Sequence, residues 1–113
     1  MPSDTLTAMS YDDAYAALEE AHKLLAYAHA AANTAEDKDL VFSAMTVIYE
    51  EMAAILRLSL EARSADYQAL TPSFKAAAKR LEQVKREIDR IVKAVGLAAK
   101  IVGVLDRVLS LIP

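Results

Sequence analysis

The chain has 113 residues, a formal net charge of −3, no cysteine and no tryptophan. At this length one hydrophobic core is expected, because folding hides roughly two-thirds of the surface that an unfolded chain exposes. The lack of cysteine excludes disulfides and every metal site or nucleophile that depends on a thiolate. Twenty-three alanines, against two glycines and three prolines, favour helix over sheet. We therefore predict one all-α domain over residues 1–113.

The first nine residues are expected to form a flexible N-terminus. They begin Met1-Pro2-Ser3-Asp4, which lacks the basic start and the apolar run of a signal peptide. The longest uncharged stretches fall short of the ~20 residues needed to cross a bilayer. These features predict a cytoplasmic protein, although the mean hydropathy of +0.18 leaves attachment to a membrane surface open.

The first helix is predicted over about residues 11–32. Ser10 suits its N-cap, and Asp12 and Asp13 suit its first turn, where carboxylates favour the positive end of the helix dipole. The apolar positions alternate steps of three and four residues and are mostly alanine, which allows another helix to approach closely. They are Tyr11, Ala14, Leu18, Ala21, Leu25, Ala28 and Ala32.

The second and third helices are predicted over about residues 35–69 and 72–112. Thr34 suits the N-cap of the second helix, and Pro72 suits the first position of the third because it disfavours helical geometry at Thr71. The third helix carries twelve consecutive apolar residues at alternating steps of three and four, and it would be ~60 Å long. The predicted fold is an antiparallel three-helix bundle with a long coiled-coil hairpin of helices two and three.

The C-terminal part of the third helix is apolar around most of its circumference, as is the first half of the second helix. A helix in a bundle normally buries an arc of somewhat over 100°, so this excess predicts a surface that a partner covers. Two glycines inside a helix cost about 1 kcal/mol each relative to alanine, which indicates a close fit at their positions. The predicted interface comprises Phe42, Tyr49, Gly96, Leu97, Ile101, Gly103, Val104, Val108 and Leu111.

Self-association into a dimer or higher oligomer is the leading hypothesis for this surface, since closed two-fold pairing commonly hides such a patch. Docking of another helical protein is a second possibility. The alternative without any association is that the first helix and the N-terminal residues cover the apolar surface within a monomer.

A basic stripe recurs every seven residues along the predicted third helix. Its members are Lys79, Arg86, Lys93, Lys100 and Arg107. The simplest interpretation is a solvated helix face, but cations beside apolar residues are also typical of a helix lying on a membrane surface. Nucleic-acid binding is disfavoured because no recognition motif or interleaved aromatic residue accompanies the stripe and the protein is acidic overall.

The pair Glu19-x-x-His22 places both side chains on one helix face. This spacing resembles the Glu-x-x-His element of ferritin-like di-iron carboxylate bundles, and the resemblance covers these two residues only. It implies a metal site to which Glu50 and Glu51 could contribute. A second element is missing because Ala26 stands where an acid should precede His29. We therefore predict no metal or other cofactor and keep the metal-binding bundle as the third hypothesis for function.

No enzymatic signature is present: the sequence has no glycine-rich phosphate loop and no supported Ser/His/Asp arrangement. The leading hypothesis for function is a non-enzymatic helical interaction protein of the adaptor, chaperone, immunity or regulatory-subunit type. It would self-associate or bind a partner through the apolar C-terminal helix. The alternative is a membrane-active or peripheral membrane protein that uses the same helix.

Overall fold

In a computed structural model, which describes residues 9–113, the chain folds into six α-helices with no strand among these residues. The helices are α1 (Tyr11–Ala31), α2 (Ala35–Leu56), α3 (Leu60–Arg63), α4 (Pro72–Lys75), α5 (Ala78–Ile91) and α6 (Val95–Leu109). The predicted all-α class is confirmed. The predicted flexible N-terminus lies outside the described residues except for Met9, whose carbonyl oxygen accepts a hydrogen bond of 2.7 Å from the Tyr67 amide.

The four longer helices surround one core. Helix α1 packs on α2 and α6, and α5 packs on the same two helices from the other side. The folded chain measures 44 × 29 × 20 Å along its principal axes. Large side chains from all four helices are fully buried in this core, among them Leu18, Leu25, Ile48, Ile55, Leu81, Ile88, Ile101 and Leu105.

The predicted helix starts are confirmed by their N-cap hydrogen bonds. The Ser10 hydroxyl accepts from the Asp13 amide at 3.0 Å, and the Thr34 hydroxyl accepts from the Asp37 amide at 3.0 Å. Thr71 caps α4 in the same way, with Pro72 at the first helical position. Each cap satisfies a backbone donor that has no partner within the helix.

The predicted end of the second helix, at residue 69, is wrong because α2 ends at Leu56. Ser59 caps the single turn of α3 instead, and residues 64–71 are not helical. Serine and aspartate side chains bond readily to nearby backbone groups, which favours turns over helix at Ser59, Ser64 and Asp66. The Arg63 guanidinium donates to the Leu56 and Leu58 carbonyl oxygens at 3.4 and 3.3 Å, which satisfies acceptors at the end of α2.

The single helix predicted over residues 72–112 is also wrong. The chain bends at residues 76–77 and leaves helical geometry at residues 92–94, after which α6 folds back along α5. The helical hydrogen bonds given up at 92–94 are worth about 1 kcal/mol each. Folding back buries Ile101, Val104, Leu105 and Val108, and each such side chain contributes roughly 1.5–3 kcal/mol. Burial therefore outweighs helix continuity, and four long helices replace the predicted three-helix bundle and its ~60 Å hairpin.

Candidate interaction surface

The apolar side chains that the sequence assigned to a partner at the C-terminus lie mostly inside the fold. Ile101, Val104 and Val108 are buried in the core, as is Leu111, while Leu97 is half-buried. Helix α6, which carries all of these residues except Leu111, packs on α1 and α5 within the same chain. The prediction that these four buried residues form a partner interface is therefore wrong. A membrane-surface helix with the basic stripe would place Val104 and Leu111 in lipid, but both side chains are buried in the fold.

No other part of the described chain closely approaches the two glycines of α6. A methyl group added at Gly96 or at Gly103 would meet no other atom within 4 Å, and both residues are exposed. Neither has the positive φ that would require glycine. The expected tight packing at these positions is not found within the described residues.

The remaining two predicted interface residues, Phe42 and Tyr49, are exposed on the outer face of α2. Leu56 continues their seven-residue spacing, and the three side chains are 58%, 60% and 57% exposed. We call Phe42, Tyr49 and Leu56 the α2 stripe. Large apolar residues seven apart on one helix lie along one line of its surface, so the stripe extends about 21 Å at 1.5 Å per residue.

Helix α1 contributes a second row beside the α2 stripe. The His29 ring lies 6.0 Å from the Phe42 ring, and the His22 ring lies 6.0 Å from the Tyr49 ring, measured between centroids. Because α1 and α2 are antiparallel, moving seven residues forward along α1 corresponds to moving seven residues back along α2, as the pairs His22–Tyr49 and His29–Phe42 show. Continued by one more step of seven residues, this register would bring Tyr15 opposite Leu56.

These two rows form an open groove, which we call the α1/α2 groove. Its middle is lined by His22, Phe42, Met45, Thr46 and Tyr49. Half-buried Met45 lies three residues after Phe42, as a d position follows an a position in a heptad. Aromatic rings and a flexible thioether are the chemistry with which proteins hold the apolar face of another helix.

The basic stripe predicted along one helix does not exist as a continuous line. Lys79 and Arg86 lie on α5, Lys93 lies in the 92–94 connection, and Lys100 and Arg107 lie on the returning α6. The reversal is evident where the Lys85 ammonium of α5 lies 2.8 Å from the Asp106 carboxylate of α6. Arg107 pairs with Glu20 of α1. A single cationic helix face is therefore wrong as a prediction.

The four candidate metal ligands face different surroundings. The His22 ring contacts Tyr49, and Glu50 accepts a hydrogen bond of 2.8 Å from the Ser73 hydroxyl. Glu19 is exposed on α1, whereas Glu51 is fully buried on the inner side of α2. Within residues 9–113, no group of three or more potential His, Asp or Glu ligands lies close enough to hold a metal ion.

Glu51 is the main polar feature of the interior. Its carboxylate accepts hydrogen bonds from the Tyr67 hydroxyl at 2.6 Å and from the Leu70 amide at 2.8 Å. It also accepts from the Thr71 amide and hydroxyl at 2.9 and 3.0 Å. Burial, together with the adjacent carboxylate, raises the pKa of the Tyr67 phenol above its ordinary value. A helix through residues 64–71 would have used these amides itself, so Glu51 holds this segment in its non-helical path.

A second buried carboxylate joins the start of α2 to the end of α5. The Arg90 guanidinium donates to both carboxylate oxygens of Asp37, at 2.9 and 2.8 Å, and to Glu87 at 2.8 Å. The hydrogen bonds from Arg90 hold the pKa of the Asp37 carboxyl below its ordinary value, against the opposing effect of burial. Both buried acids therefore have partners within the fold and serve its geometry.

The chain matches no protein-family model, and neither a curated protein nor a solved structure is significantly similar to it. Among residues 9–113, no helix combines the length and the apolar character needed to cross a membrane.

Proposed function

We propose that the protein is a non-enzymatic helical interaction protein whose docking surface is the α1/α2 groove. The observation that carries the proposal is the α2 stripe: three large apolar side chains, each more than half exposed, at seven-residue spacing. Scattered exposed apolar residues are normal on a protein surface, whereas a continuous patch marks an interaction site. Covering the stripe would remove from water three of the six large apolar side chains that are exposed among the described residues.

The mode of binding that fits this surface is a helix laid along the groove. Phe42, Tyr49 and Leu56 occupy positions equivalent to a in a heptad, with Met45 equivalent to d, and Tyr15, His22 and His29 form the opposite wall. A partner helix of about 14–18 residues would match the ~21 Å length of the stripe. The sequence suggested a docking surface on the C-terminal helix together with Phe42 and Tyr49; the proposed surface keeps these two residues and lies on the outer face of α1 and α2.

The test is selection from a displayed library of helical peptides with a fixed apolar heptad and randomised flanking residues. We expect enriched peptides to bind the wild-type protein and to lose at least about tenfold in affinity against Tyr49→Glu, because a charge would then lie in the middle of the groove. Isothermal titration calorimetry gives the affinities. The absolute mass of the protein in solution, measured alongside, reports whether a second copy fills the groove.

Tyr27→Glu is the matched control. Tyr27 is the same residue type, is 54% exposed on α1 and lies outside the α1/α2 groove. Binding that is equally weakened by Tyr27→Glu and Tyr49→Glu would refute the α1/α2 groove as the docking surface. The absence of any peptide that depends on Tyr49, in a protein that is monomeric, would refute the proposed function.

A further inference from the structure

The charge around the α1/α2 groove indicates the chemistry of what binds there. Resting on the proposed function, we infer that the occupant of the groove is a basic amphipathic helix and not a second copy of this chain. The inference depends on two features of the described residues: the separation of charge between the two helix pairs, and the unpaired carboxylates that border the groove.

The two halves of the fold carry opposite charge. Helices α1 and α2, which form the groove, contain nine acidic and two basic residues. Helices α5 and α6, on the other side of the core, contain seven basic and four acidic residues. A groove on the acidic side attracts a cationic partner over distances of about a Debye length, which is ~10 Å at moderate salt.

Three exposed acids near the groove have no cationic partner among the described residues. Asp12, Glu19 and Asp39 lie three residues before Tyr15, His22 and Phe42 respectively, and residues three apart are neighbours on a helix surface. All three are exposed, and within residues 9–113 none of them forms an ion pair.

Two acids of the same helices that face the basic pair have cationic partners. Glu20 pairs with Arg107 and Asp37 pairs with Arg90. Lys38, at one end of the groove, is turned toward the His29 carbonyl oxygen at 3.3 Å. The carboxylates of Asp12 and Glu19 on the α1 edge are therefore free to meet lysine or arginine side chains that flank the apolar face of a bound helix. Asp39 on the α2 edge also lines a pocket that contains Arg90, but Arg90 pairs with Asp37 and not with Asp39.

A second copy is a poorer fit to the same surface. Two-fold pairing through the groove would place each copy's acidic edges against those of the other, because an isologous interface joins a patch to itself. Like charges brought together in this way oppose association. A basic helix satisfies the apolar and the electrostatic character of the groove at once.

Two synthetic helical peptides of about 18 residues test the inference. Both carry the same apolar heptad, and the flanking positions are lysine in one peptide and glutamate in the other. We expect the lysine peptide to bind the full chain at least about tenfold more tightly at about 20 mM salt, and the difference to shrink at about 500 mM salt. Calorimetry at both salt concentrations measures this ratio.

The double variant Glu19→Gln/Asp39→Asn removes one carboxylate from each edge of the groove. We expect it to lower the preference for the lysine peptide several-fold. Asp13→Asn/Glu36→Gln removes one carboxylate from each of the same helices away from the groove, so it changes the net charge equally and should leave the preference nearly unchanged.

The possible outcomes separate this inference from the proposed function. Equal binding of both peptides, with loss of both in Tyr49→Glu, would overturn the inference and leave the docking surface intact. A dimer that binds neither peptide and dissociates in Tyr49→Glu would do the same by identifying a second copy as the occupant. A monomer that binds neither peptide would overturn both proposals.

Discussion

Helix α6 and the outer face of α2 are both richer in apolar residues than one side of a bundle requires, yet the fold treats them differently. In α6 the core side chains Ile101, Leu105 and Val108 are fully buried, because the chain folds back and places α6 between α1 and α5. In α2 the inner side is buried equally well, but Phe42 and Tyr49 project from the outer side at more than half exposure.

The difference shows that an apolar excess indicates a missing neighbour without saying where that neighbour comes from. For α6 the neighbour is the rest of the same chain, reached through the break at residues 92–94. For the α2 stripe no element among residues 9–113 covers the outer face. The α2 stripe is therefore the better candidate for an interaction surface.

The sharpest test of this comparison is the stability of Ile101→Ala beside Phe42→Ala. Ile101 is fully buried, so its truncation leaves a cavity and should lower the free energy of unfolding by roughly 2–5 kcal/mol. Phe42 is 58% exposed, and its truncation should cost less than about 1 kcal/mol. Urea denaturation followed by circular dichroism measures both values. Equal losses would mean that Phe42 is covered in solution and that the comparison between α6 and α2 does not hold.

The inner side of α2 can be separated from its outer side at two adjacent glutamates. Glu51→Gln should lower the free energy of unfolding by about 2–3 kcal/mol. The buried Glu51 carboxylate accepts hydrogen bonds at both oxygens, and the NH2 group of glutamine would face some of the same donors without being able to accept from them. Glu50→Gln is the matched control, because residue 50 is exposed and the glutamine side chain keeps one oxygen that can accept from the Ser73 hydroxyl. This variant should change the free energy of unfolding by less than about 0.5 kcal/mol.

Hydrogen exchange locates the effect of Glu51→Gln. The amides of Leu70 and Thr71 donate to this carboxylate, so their exchange should accelerate more than that of amides within α1. A variant as stable as the wild type, with unchanged exchange at both amides, would show that Glu51 does not hold the 64–71 segment.

Local features of the fold were predictable from the sequence because short-range chemistry decides them. Ser10, Thr34 and Thr71 cap helices as predicted, since a hydroxyl before a helical segment satisfies a backbone amide within four residues. The break at residues 92–94 was not predictable in this way. It carries neither proline nor glycine, and the heptad pattern runs through it unchanged. The break is caused by the packing of α6 against parts of the chain that are distant in sequence. The β-branched residues Val92 and Val95 are compatible with the break but do not cause it.

The candidate surface was predictable in part for a related reason. Phe42 and Tyr49 were named from the apolar excess of the second helix, but Leu56 was missed although it continues their spacing. The role of Glu51 was also missed. An acid among the buried residues Ile48, Met52 and Ile55 is the signal that could have revealed it, because a carboxylate at a core position requires hydrogen-bond donors. Nothing in the sequence indicates that residues 67–71 supply those donors.

The junction of α2 and α5 gives a smaller effect that depends on pH. The pKa of Asp37 is lower in the folded than in the unfolded protein, so its contribution to stability is present above the unfolded pKa of about 3.9 and is lost as the pH falls through the folded value. Asp37→Asn should therefore destabilise the protein near neutral pH and flatten the loss of stability below about pH 4. Asp39→Asn, on an exposed carboxylate of the same helix, is the control. Identical acid profiles for Asp37→Asn and the wild type would contradict the assigned role of the Arg90 pair.

The smallest effect is expected on the one side of α6 that the chain leaves open. Gly103 lies inside the helix, and an added methyl group would meet nothing within 4 Å, so Gly103→Ala should raise the free energy of unfolding by about 0.5–1 kcal/mol through helix propensity alone. The same substitution should leave peptide binding at the α1/α2 groove unchanged, because Gly103 lies on the opposite helix pair. Urea denaturation and calorimetry check the two statements separately. If Gly103→Ala weakened peptide binding as strongly as Tyr49→Glu, α6 would contribute to the docking surface after all, and the division between a covered α6 and an open α2 would have to be redrawn.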